Sequence, residues 1–194
     1  FQAENLLMAA LLVISSGQEE SSIFKILENI KPVRGRMELA ATKKNGATVY
    51  VDYAHTPDAI EVALKSLKPH ILGKLIVVIG AGGERDEGKR PLMGMAAEQN
   101  ADFVIITDDN PRNEDPSAIH QMIKNGIQND NKVKVIADRA EAILTAVDLL
   151  EVGDGLLIAG KGHETEQVIG ENNFPFDDFE QASLSVASLD GIEQ

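Results

Sequence analysis

The sequence predicts an α/β protein in which a Rossmann-like, mainly parallel sheet is covered by helices on both faces. Two observations support this prediction. Apolar runs such as residues 74–79 (KLIVVI) and 103–106 (FVII) are uninterrupted, as in strands that are buried on both faces. Each run is followed by a segment with helical periodicity, and strands that alternate with helices form parallel sheets.

Local signals along the chain place the individual elements. Two short helices are expected at 3–15 and 21–30, and a linker at 31–36 follows, because Pro and Gly stand there among basic residues. An Asn45-Gly46 turn between two β-forming runs predicts a hairpin of residues 37–43 and 48–52. The remaining expected elements are helices at 57–68, 90–99, 116–127, 139–150 and 179–189, strands at 74–79, 102–107, 132–136 and 155–159, and a last edge element near 166–169.

The bulk composition limits the class of protein. With 31 acidic against 18 basic side chains and a net charge of −13, the chain lacks the basic face that general nucleic-acid binding needs. It contains no cysteine, which excludes disulfides and Cys-ligated zinc and fits a reducing, cytoplasmic environment. The longest apolar run, 6–14, is too short to span a membrane and lacks the features of a signal peptide. Because the chain starts at Phe1 without Met, we expect a fragment of a longer protein.

Three polar loops follow predicted strands, at 80–90, 108–116 and 160–166. The carboxyl ends of parallel strands lie on one edge of a sheet, so these loops should share a crevice where open α/β sheets bind ligands. The segment 107–112 (TDDNPR) combines carboxylate, amide and guanidinium groups, which suits a zwitterionic amino acid. Asp-Asn-Pro is also ordinary turn chemistry. The three loops together favour a binding site.

Two glycine-rich patterns in the first loop depart from nucleotide-binding motifs. Residues 83–89 match G-x-x-x-x-G-K, but Arg90 replaces the Ser or Thr that would bind magnesium, and three carboxylates inside the loop would repel a triphosphate. Residues 80–83 fail G-x-G-x-x-G because Arg85 occupies the third glycine position. A P-loop NTPase is therefore a weak alternative. No pair of His residues has metal-site spacing, and no metal ligands are assigned to this chain.

Residues 52–58 (DYAHTPD) lie between a predicted strand and a predicted helix. Asp52 could accept a hydrogen bond from a ribose hydroxyl, and His55 could contact a phosphate or a base. Equally, Asp52 or Thr56 could only cap the helix. The residues alone leave both interpretations open.

Four segments in this order resemble the C-terminal domain of the Mur ligases: 52–57 (DYAHTP), 82–91 (GGERDEGKRP), 107–112 (TDDNPR) and 160–164 (GKGHE). They are most similar to the tripeptide-forming type, and the resemblance covers essentially the whole chain. The first five residues (FQAEN) resemble an F-N-x-x-N motif of the family's central ATPase domain, with Gln2 in place of the first Asn. The resemblance implies that residues 1–33 are the end of that central domain plus a linker. Residues 34–194 would then be the Rossmann-like, amino-acid-binding domain.

The resemblance also implies a reaction. In such ligases ATP phosphorylates a carboxylate of a nucleotide-linked peptide, an amine attacks the acyl phosphate, and the tetrahedral intermediate collapses to an amide and phosphate. The tripeptide-forming type uses UDP-MurNAc-L-Ala-D-Glu as acceptor and meso-diaminopimelate or L-lysine as the amino acid. ATP and Mg²⁺ would be required, with the magnesium ligands mainly upstream. The missing N-terminal and central domains would be this chain's partners, with no nucleic acid or membrane involved, and the fragment alone is expected to be inactive.

The same resemblance assigns residues to the amino-acid site. Arg112 would form a forked pair with a carboxylate, assisted by Arg85, and acidic side chains would take the ammonium group. The D-N-P-R form favours meso-diaminopimelate, whose second carboxylate lysine lacks, and a site built to pair a polar group can reject such an analogue by ~10⁴-fold. The residues implied to bind the amino acid are Arg85, Asp109, Asn110, Pro111, Arg112, Gly160 and Glu164.

Four further positions match nucleotide contacts at the domain junction: Asn5, Arg36, Asp52 and His55. Arg36 would be the catalytic cation, offsetting charge on the transferred phosphoryl group when the domains close about a hinge near 30–36. Two alternatives remain. One is another ligase of the superfamily, lysine-adding or similar to folylpolyglutamate synthetase. The other is a non-catalytic, Rossmann-like ligand-binding domain.

Overall fold

The computed structural model describes residues 2–27 and 29–191, and the chain divides into two compact units, residues 1–33 and 34–194. The first unit contains two helices, α1 (Gln2–Ser15) and α2 (Glu20–Leu27). Both are expected from the sequence, although α2 ends at Leu27 rather than at residue 30. Phe1 of the first sequence motif and Glu28 of the predicted second helix lie outside the described residues.

The second unit contains the predicted alternation of strands and helices. Its elements in chain order are β1 (Glu38–Thr42), β2 (Thr48–Asp52), α3 (Pro57–Leu67), β3 (Leu75–Ile79), α4 (Lys89–Asn100), β4 (Phe103–Ile106), α5 (Pro116–Lys124), β5 (Val133–Val135), α6 (Arg139–Asp148), β6 (Gly155–Ala159), β7 (Glu166–Ile169), β8 (Asn172–Pro175) and α7 (Asp178–Leu189). Local capping chemistry explains the helix starts, because Thr or Asp side chains accept backbone N–H groups there. These caps are Thr56, Asp115, Asp138 and Asp177.

Six strands form one sheet in the order β1-β2-β6-β3-β4-β5. Within this sheet β1 and β2, the predicted hairpin, pair antiparallel, and the other neighbouring strands pair parallel. The carboxyl ends of β2, β6, β3 and β4 therefore lie side by side at one edge of the sheet. This arrangement confirms the predicted fold class.

Two hydrophobic cores lie on opposite faces of this sheet, and the pleat of β3 shows the division. Leu75, Val77 and Ile79 point into one core, while Ile76 and Val78 point into the other. Because side chains alternate along a strand, a strand that contributes to two cores must be apolar throughout. Helices α3, α4 and α5 cover the first core through Ile60, Ala97 and Ile123, and α6 and α7 cover the second through Ile143 and Ala182.

The expected edge element near 166–169 is a strand, but it does not extend the main sheet. β7 pairs antiparallel with β8 in a separate hairpin, which turns at Gly170 with φ of 59°. The sequence analysis does not anticipate β8, because its residues (NNFP) are polar or exposed and end in proline. None of the described helices has the length and apolar character needed to cross a bilayer.

Candidate functional site

A cavity of about 330 Å³ opens at the carboxyl ends of the parallel strands. Its wall brings together residues from the segments that follow β2, β3, β4 and β6, as the topology requires. The lining residues are Tyr53, His55, Thr56, Gly80, Ala81, Gly82, Arg85, Asp86, Lys89, Arg90, Met93, Asp109, Asn110, Arg112, Gly160 and Glu164. Cationic and anionic side chains thus face one space.

The structure brings most of the residues named from the sequence into this cavity. Arg85, Asp109, Asn110, Arg112, Gly160, Glu164 and His55 all line it. Pro111 does not line the cavity and is buried behind its wall. Asp52 and Arg36 do not line it either: Asp52 directly precedes the lining residue Tyr53, and the guanidinium of Arg36 lies over the Tyr53 ring. Asn5 belongs to the first unit, where its side chain is exposed.

The backbone of residues 108–112 is held in an unusual conformation by the β7–β8 hairpin. Arg112 has φ of 53°, a left-handed value that costs a non-glycine residue roughly 1–2 kcal/mol. Its N–H donates to the carbonyl of Val168 (3.0 Å), and its carbonyl accepts from the N–H of Gly170 (2.7 Å). On the other side, the carbonyl of Asn110 accepts from the N–H of Gly83 (2.9 Å). The loop is therefore fixed between two neighbouring segments before any ligand arrives.

The guanidinium of Arg112 is oriented by main-chain carbonyls. Its Nη1 donates to the carbonyl oxygens of Gly83 (2.9 Å) and Asn110 (3.3 Å). Its Nε and Nη2 make no hydrogen bond to any residue that the structure describes. One edge of a fixed guanidinium remains open, and such an edge can pair with a carboxylate through two parallel hydrogen bonds.

Asn110, Lys161 and Glu164 form a closed triangle of hydrogen bonds. Lys161 Nζ donates to Asn110 Oδ1 (3.0 Å) and to Glu164 Oε2 (3.2 Å), and Asn110 Nδ2 donates to the same Glu164 oxygen (2.9 Å). Lys161 is fully buried, and a buried ammonium needs such partners. The sequence marks Lys161 as a loop residue and gives no sign of its burial.

Asp109 is a buried carboxyl group at the cavity wall. Burial raises the pKa of Asp109 above its ordinary value, and the nearby charges of Arg139 and Lys161 oppose this rise. Among the described residues no group donates a hydrogen bond to its carboxylate, although its main-chain carbonyl accepts from Gln167 Nε2 (2.9 Å). Gly160, with φ of 118°, leaves room for this carboxylate, because a Cβ there would lie 2.6 Å from Asp109 Oδ2.

A second buried cation, Arg139, holds the ends of two strands beneath the cavity. It forms a two-point pair with Asp178, with Nε–Oδ1 and Nη2–Oδ2 distances of 2.7 Å. Its guanidinium also donates to the carbonyls of Asp108 and Ala159, each at 3.1 Å. Burial alone would lower the pKa of Arg139, but Asp178 reverses the shift and the net pKa lies above its usual value. The sequence analysis misses this pair, because an Arg at the start of a helix usually lies at the surface.

Several N–H groups of the first glycine-rich loop, residues 80–90, already form hydrogen bonds within the protein. The N–H of Glu84 bonds to the Glu114 carboxylate, that of Gly88 donates to Asp86 Oδ1 (3.0 Å), and that of Lys89 donates to the Asp86 carbonyl (3.3 Å). A phosphate-binding loop needs free N–H groups that point at one ligand. The geometry therefore agrees with the sequence argument against a P-loop. Arg85 is exposed and lines the cavity. Its Nη1 donates one hydrogen bond, to the carbonyl of Glu84 (3.3 Å).

Beside the cavity, Tyr53 lies within a cluster of ring and guanidinium groups. Its ring centroid is 4.5 Å from that of His55, 5.2 Å from that of His163 and 4.5 Å from Cζ of Arg36. Arg36 itself is exposed. This cluster presents a flat apolar face and a cation close together, which are suitable contacts for a base and a phosphate.

Asp52 and Thr56 have separate roles in the neighbouring segment. Thr56 caps α3, since its hydroxyl accepts from the N–H of Ala59 (3.3 Å). The Asp52 carboxylate instead accepts from the N–H groups of Met37 (2.7 Å) and Ala54 (2.8 Å). Burial raises the pKa of Asp52, and these two hydrogen bonds oppose the rise. Met37 is thereby held at the end of β2. The hinge near 30–36 stays a prediction.

Residues 2–27 and 29–191 contain no group of three or more His, Cys, Asp or Glu side chains that could hold a metal ion.

Comparison with known proteins gives a family for this arrangement. Residues 35–162 match the family described as "Mur ligase, glutamate ligase domain". The chain belongs to the Mur ligase family. The resemblance inferred from the four motifs is thereby confirmed, and the cavity is a feature of a Mur ligase C-terminal domain.

Several relatives share one name, UDP-N-acetylmuramoyl-L-alanyl-D-glutamate–2,6-diaminopimelate ligase. The protein of that name from Bradyrhizobium diazoefficiens is 49% identical over 97% of this chain and 38% of its own length. The one from Rickettsia bellii is 48% identical over 100% of this chain and 40% of its own length. The chain thus spans about two fifths of the curated relatives that it matches.

Solved structures show the same relationship. A structure of a ligase with that name superposes with a TM-score of 0.77 at 38% identity, over 97% of this chain and 38% of the other. A UDP-N-acetylmuramate–alanine ligase from Thermotoga maritima has a TM-score of 0.66 at 18% identity, over 99% of this chain and 38% of the other. The second likeness shows the fold alone.

Proposed function

We propose that this chain is the amino-acid-binding, C-terminal part of an ATP-dependent ligase that adds meso-diaminopimelate to UDP-MurNAc-L-Ala-D-Glu. The observation that carries the proposal is the open edge of the Arg112 guanidinium in a cavity that also contains the carboxylates of Asp109 and Glu164. The relatives that share about half of its residues are named for 2,6-diaminopimelate.

The charges of the cavity match the chemistry of this amino acid. A carboxylate of the ligand would pair with the open edge of Arg112, with the exposed Arg85 nearby to add a second cation. An ammonium group would pair with Asp109 and with the oxygen of Glu164 that lies outside the triangle, Oε1. L-Lysine has no second carboxylate, so it would leave the cation at one end unpaired, which favours diaminopimelate over lysine.

In the proposed reaction this domain presents an amine, and the rest of the ligase presents the activated acceptor. The acceptor carboxylate would be activated by phosphoryl transfer from ATP, and attack by the amine would form the C–N bond and release phosphate. Arg36, His55 and Asp52 are the residues of the second unit that we propose as nucleotide contacts. In the first unit, Asn5 is the residue that we propose for such a contact. Arg36 is suited to offset phosphate charge because its guanidinium is exposed beside Tyr53.

We propose that the magnesium ligands and the phosphate-binding loop lie in the upstream part of the ligase, and the chain spans only 38% of the length of one such relative. We therefore propose that the isolated chain binds the amino acid without turning it over. The proposed location is the cytoplasm, and the proposed partners are small molecules and the upstream domains of the same ligase.

An NMR chemical-shift titration of this chain with meso-diaminopimelate, beside an equal titration with L-lysine, tests the proposal. We expect saturable shifts at Arg85, Asp109–Arg112 and Gly160–Glu164 with diaminopimelate and at least ~10-fold weaker binding of lysine, because one charged pair is missing. Equal responses to both would refute the choice of amino acid. A folded chain that responds to neither, together with a full-length ligase that uses neither, would refute the assignment of the cavity.

A further inference from the structure

The side-chain amide of Asn110 is oriented by its surroundings in one way only. Its Oδ1 accepts from two donors, Lys161 Nζ and the N–H of Val168, each at 3.0 Å. Its Nδ2 donates to Glu164 Oε2 at 2.9 Å. A rotation of the amide by 180° would place its NH₂ group against two donors and its oxygen against a carboxylate. The observed orientation is therefore the one that satisfies all three neighbours.

The two donors that hold Oδ1 differ in origin. Val168 belongs to β7, and both its N–H and its carbonyl point away from β8, towards Asn110 and Arg112. Lys161 belongs to the loop after β6 and is fully buried. Two elements that follow β6 therefore meet at one amide oxygen in the loop after β4.

The orientation of this amide decides which polar groups the cavity offers. With Oδ1 taken by Lys161 and Val168, Asn110 presents only an N–H group to a ligand, while Glu164 retains Oε1 as an acceptor. Lys161 also lies near the Asp109 carboxylate, where its charge opposes the effect of burial on the pKa of Asp109. Without that ammonium, two carboxylates would share the wall with less compensating charge.

We propose that Lys161 is a positioning residue: its buried ammonium fixes the amide of Asn110 and the carboxylate of Glu164, and so sets where the cavity accepts an ammonium group and where it accepts a carboxylate. Lys161 acts through these two side chains and does not itself line the cavity. The inference rests on the proposed function only for the identity of the ligand. The orientation of the amide is a property of the free chain.

The test is NMR on the whole chain, and its first part needs no ligand. In the unsubstituted chain, the side-chain NH₂ of Asn110 should be as rigid as the backbone and slow to exchange with water. In Lys161→Met, which keeps the length of the side chain but removes the charge, that NH₂ signal should shift, become mobile and exchange faster. Lys74→Met serves as the matched control, because Lys74 is exposed at the opposite edge of the sheet and should leave the signal unchanged.

The second part adds meso-diaminopimelate to the same samples. Lys161→Met should weaken its binding by roughly ten- to a hundredfold, the range expected for losing a charged hydrogen-bond network, while Lys74→Met binds as the unsubstituted chain does. The shifts of Ala146 and Val147, which are buried in the second core and do not line the cavity, report whether the fold is intact in each variant.

The outcomes separate this inference from the proposed function. The positioning role is overturned if the Asn110 amide is already mobile in the unsubstituted chain, a result that does not depend on whether the variant folds. It is also overturned if the amide stays rigid in Lys161→Met. A rigid amide that Lys161→Met releases supports the role. If the unsubstituted chain with a rigid amide does not bind diaminopimelate, the proposed function fails while the positioning role stands.

Discussion

Two loops on neighbouring parallel strands line the same cavity and are built differently. Residues 84–89, after β3, are all exposed, and between Arg85 and Lys89 their hydrogen bonds stay within the loop. In the loop 108–112, after β4, Asp109, Asn110 and Pro111 are buried. That loop bonds to the β7–β8 hairpin, to Gly83 and to two buried cations.

The difference shows how one cavity can combine a fixed part with an adaptable part. A side chain that is already held in its binding orientation loses little conformational entropy when a ligand arrives, whereas a free one must be ordered. Arg112 is of the first kind, and Arg85 is of the second. We therefore expect the 108–112 loop to supply most of the affinity and selectivity, and the 84–89 loop to add a smaller contribution.

The largest expected effect is a loss of stability on removal of Arg139, the cation beneath the loop 108–112, which we call the fixed loop. Arg139→Met leaves Asp178 as a buried, unpaired charge and releases the carbonyls of Asp108 and Ala159. Breaking a buried pair in this way destabilises a protein by about 3–5 kcal/mol. Urea unfolding of the chain, followed by circular dichroism, measures this loss.

Arg34→Met is the matched control for this prediction. Arg34 also pairs with an aspartate at the start of α7, Asp177, but its side chain is 54% exposed, so its loss should cost at most ~1 kcal/mol. Similar losses in the free energy of unfolding for the two variants would mean that burial adds nothing to the Arg139–Asp178 pair. The fixed loop would then not depend on Arg139 for its stability.

The next largest effect concerns the two arginines of the cavity themselves. Arg112→Ala should weaken the binding of meso-diaminopimelate by about 100-fold or more, because a preoriented two-point pair with a carboxylate is lost. Arg85→Ala should weaken it by about tenfold or less, because an exposed and unconstrained cation contributes less. The KM values for diaminopimelate and ATP in the full-length ligase measure both effects, and the KM for ATP should stay nearly constant.

Arg112→Gly separates the side chain from the backbone in this experiment. Glycine adopts the φ of 53° without strain, so this variant removes the guanidinium and keeps the conformation of the loop. Binding losses that are equal in the Ala and Gly variants assign the effect to the guanidinium. A loss for Arg85→Ala as large as that for Arg112→Ala would show that the two loops do not differ in the way their structures indicate.

The fold was predictable because its signals are local. Uninterrupted apolar runs, Pro57 and Pro116 at helix starts and the Asn45-Gly46 turn each act over a few residues, and the structure contains the corresponding strands, helices and hairpin. The β7–β8 hairpin is different. Its register and its contact with Arg112 arise from pairing with a loop more than 50 residues away in sequence, which no local pattern encodes.

The location of the cavity was predictable, and its construction only partly. Polar residues after parallel strands predicted a crevice at the carboxyl edge of the sheet, because topology alone brings such loops together, and the structure has a cavity there. The burial of Arg139 and Lys161 could not be read from the sequence, since charged side chains are exposed by default and their burial depends on partners distant in sequence. These buried cations determine how the lining residues are held, so the sequence identified groups at the cavity but not the support behind them.

The smallest expected effect is a pH dependence of ligand affinity that arises from Asp109 in the fixed loop. Burial raises the pKa of Asp109 above that of an ordinary aspartate, although Arg139 and Lys161 oppose the rise. As the pH falls through this raised pKa, Asp109 takes up a proton and no longer attracts an ammonium group. The affinity for diaminopimelate should therefore fall, by about tenfold or less, at a pH above that at which an ordinary aspartate titrates. The folded chain binds this proton more readily than the unfolded chain, so the protonation of Asp109 by itself favours folding while it weakens binding.

Titrations with diaminopimelate at a series of pH values measure this effect of Asp109. The loss of affinity should appear in the unsubstituted chain and in Asp86→Asn, which alters the exposed loop. Asp109→Asn should bind more weakly at neutral pH and show a flatter pH profile. A profile that Asp109→Asn leaves unchanged would place the ammonium group elsewhere in the cavity.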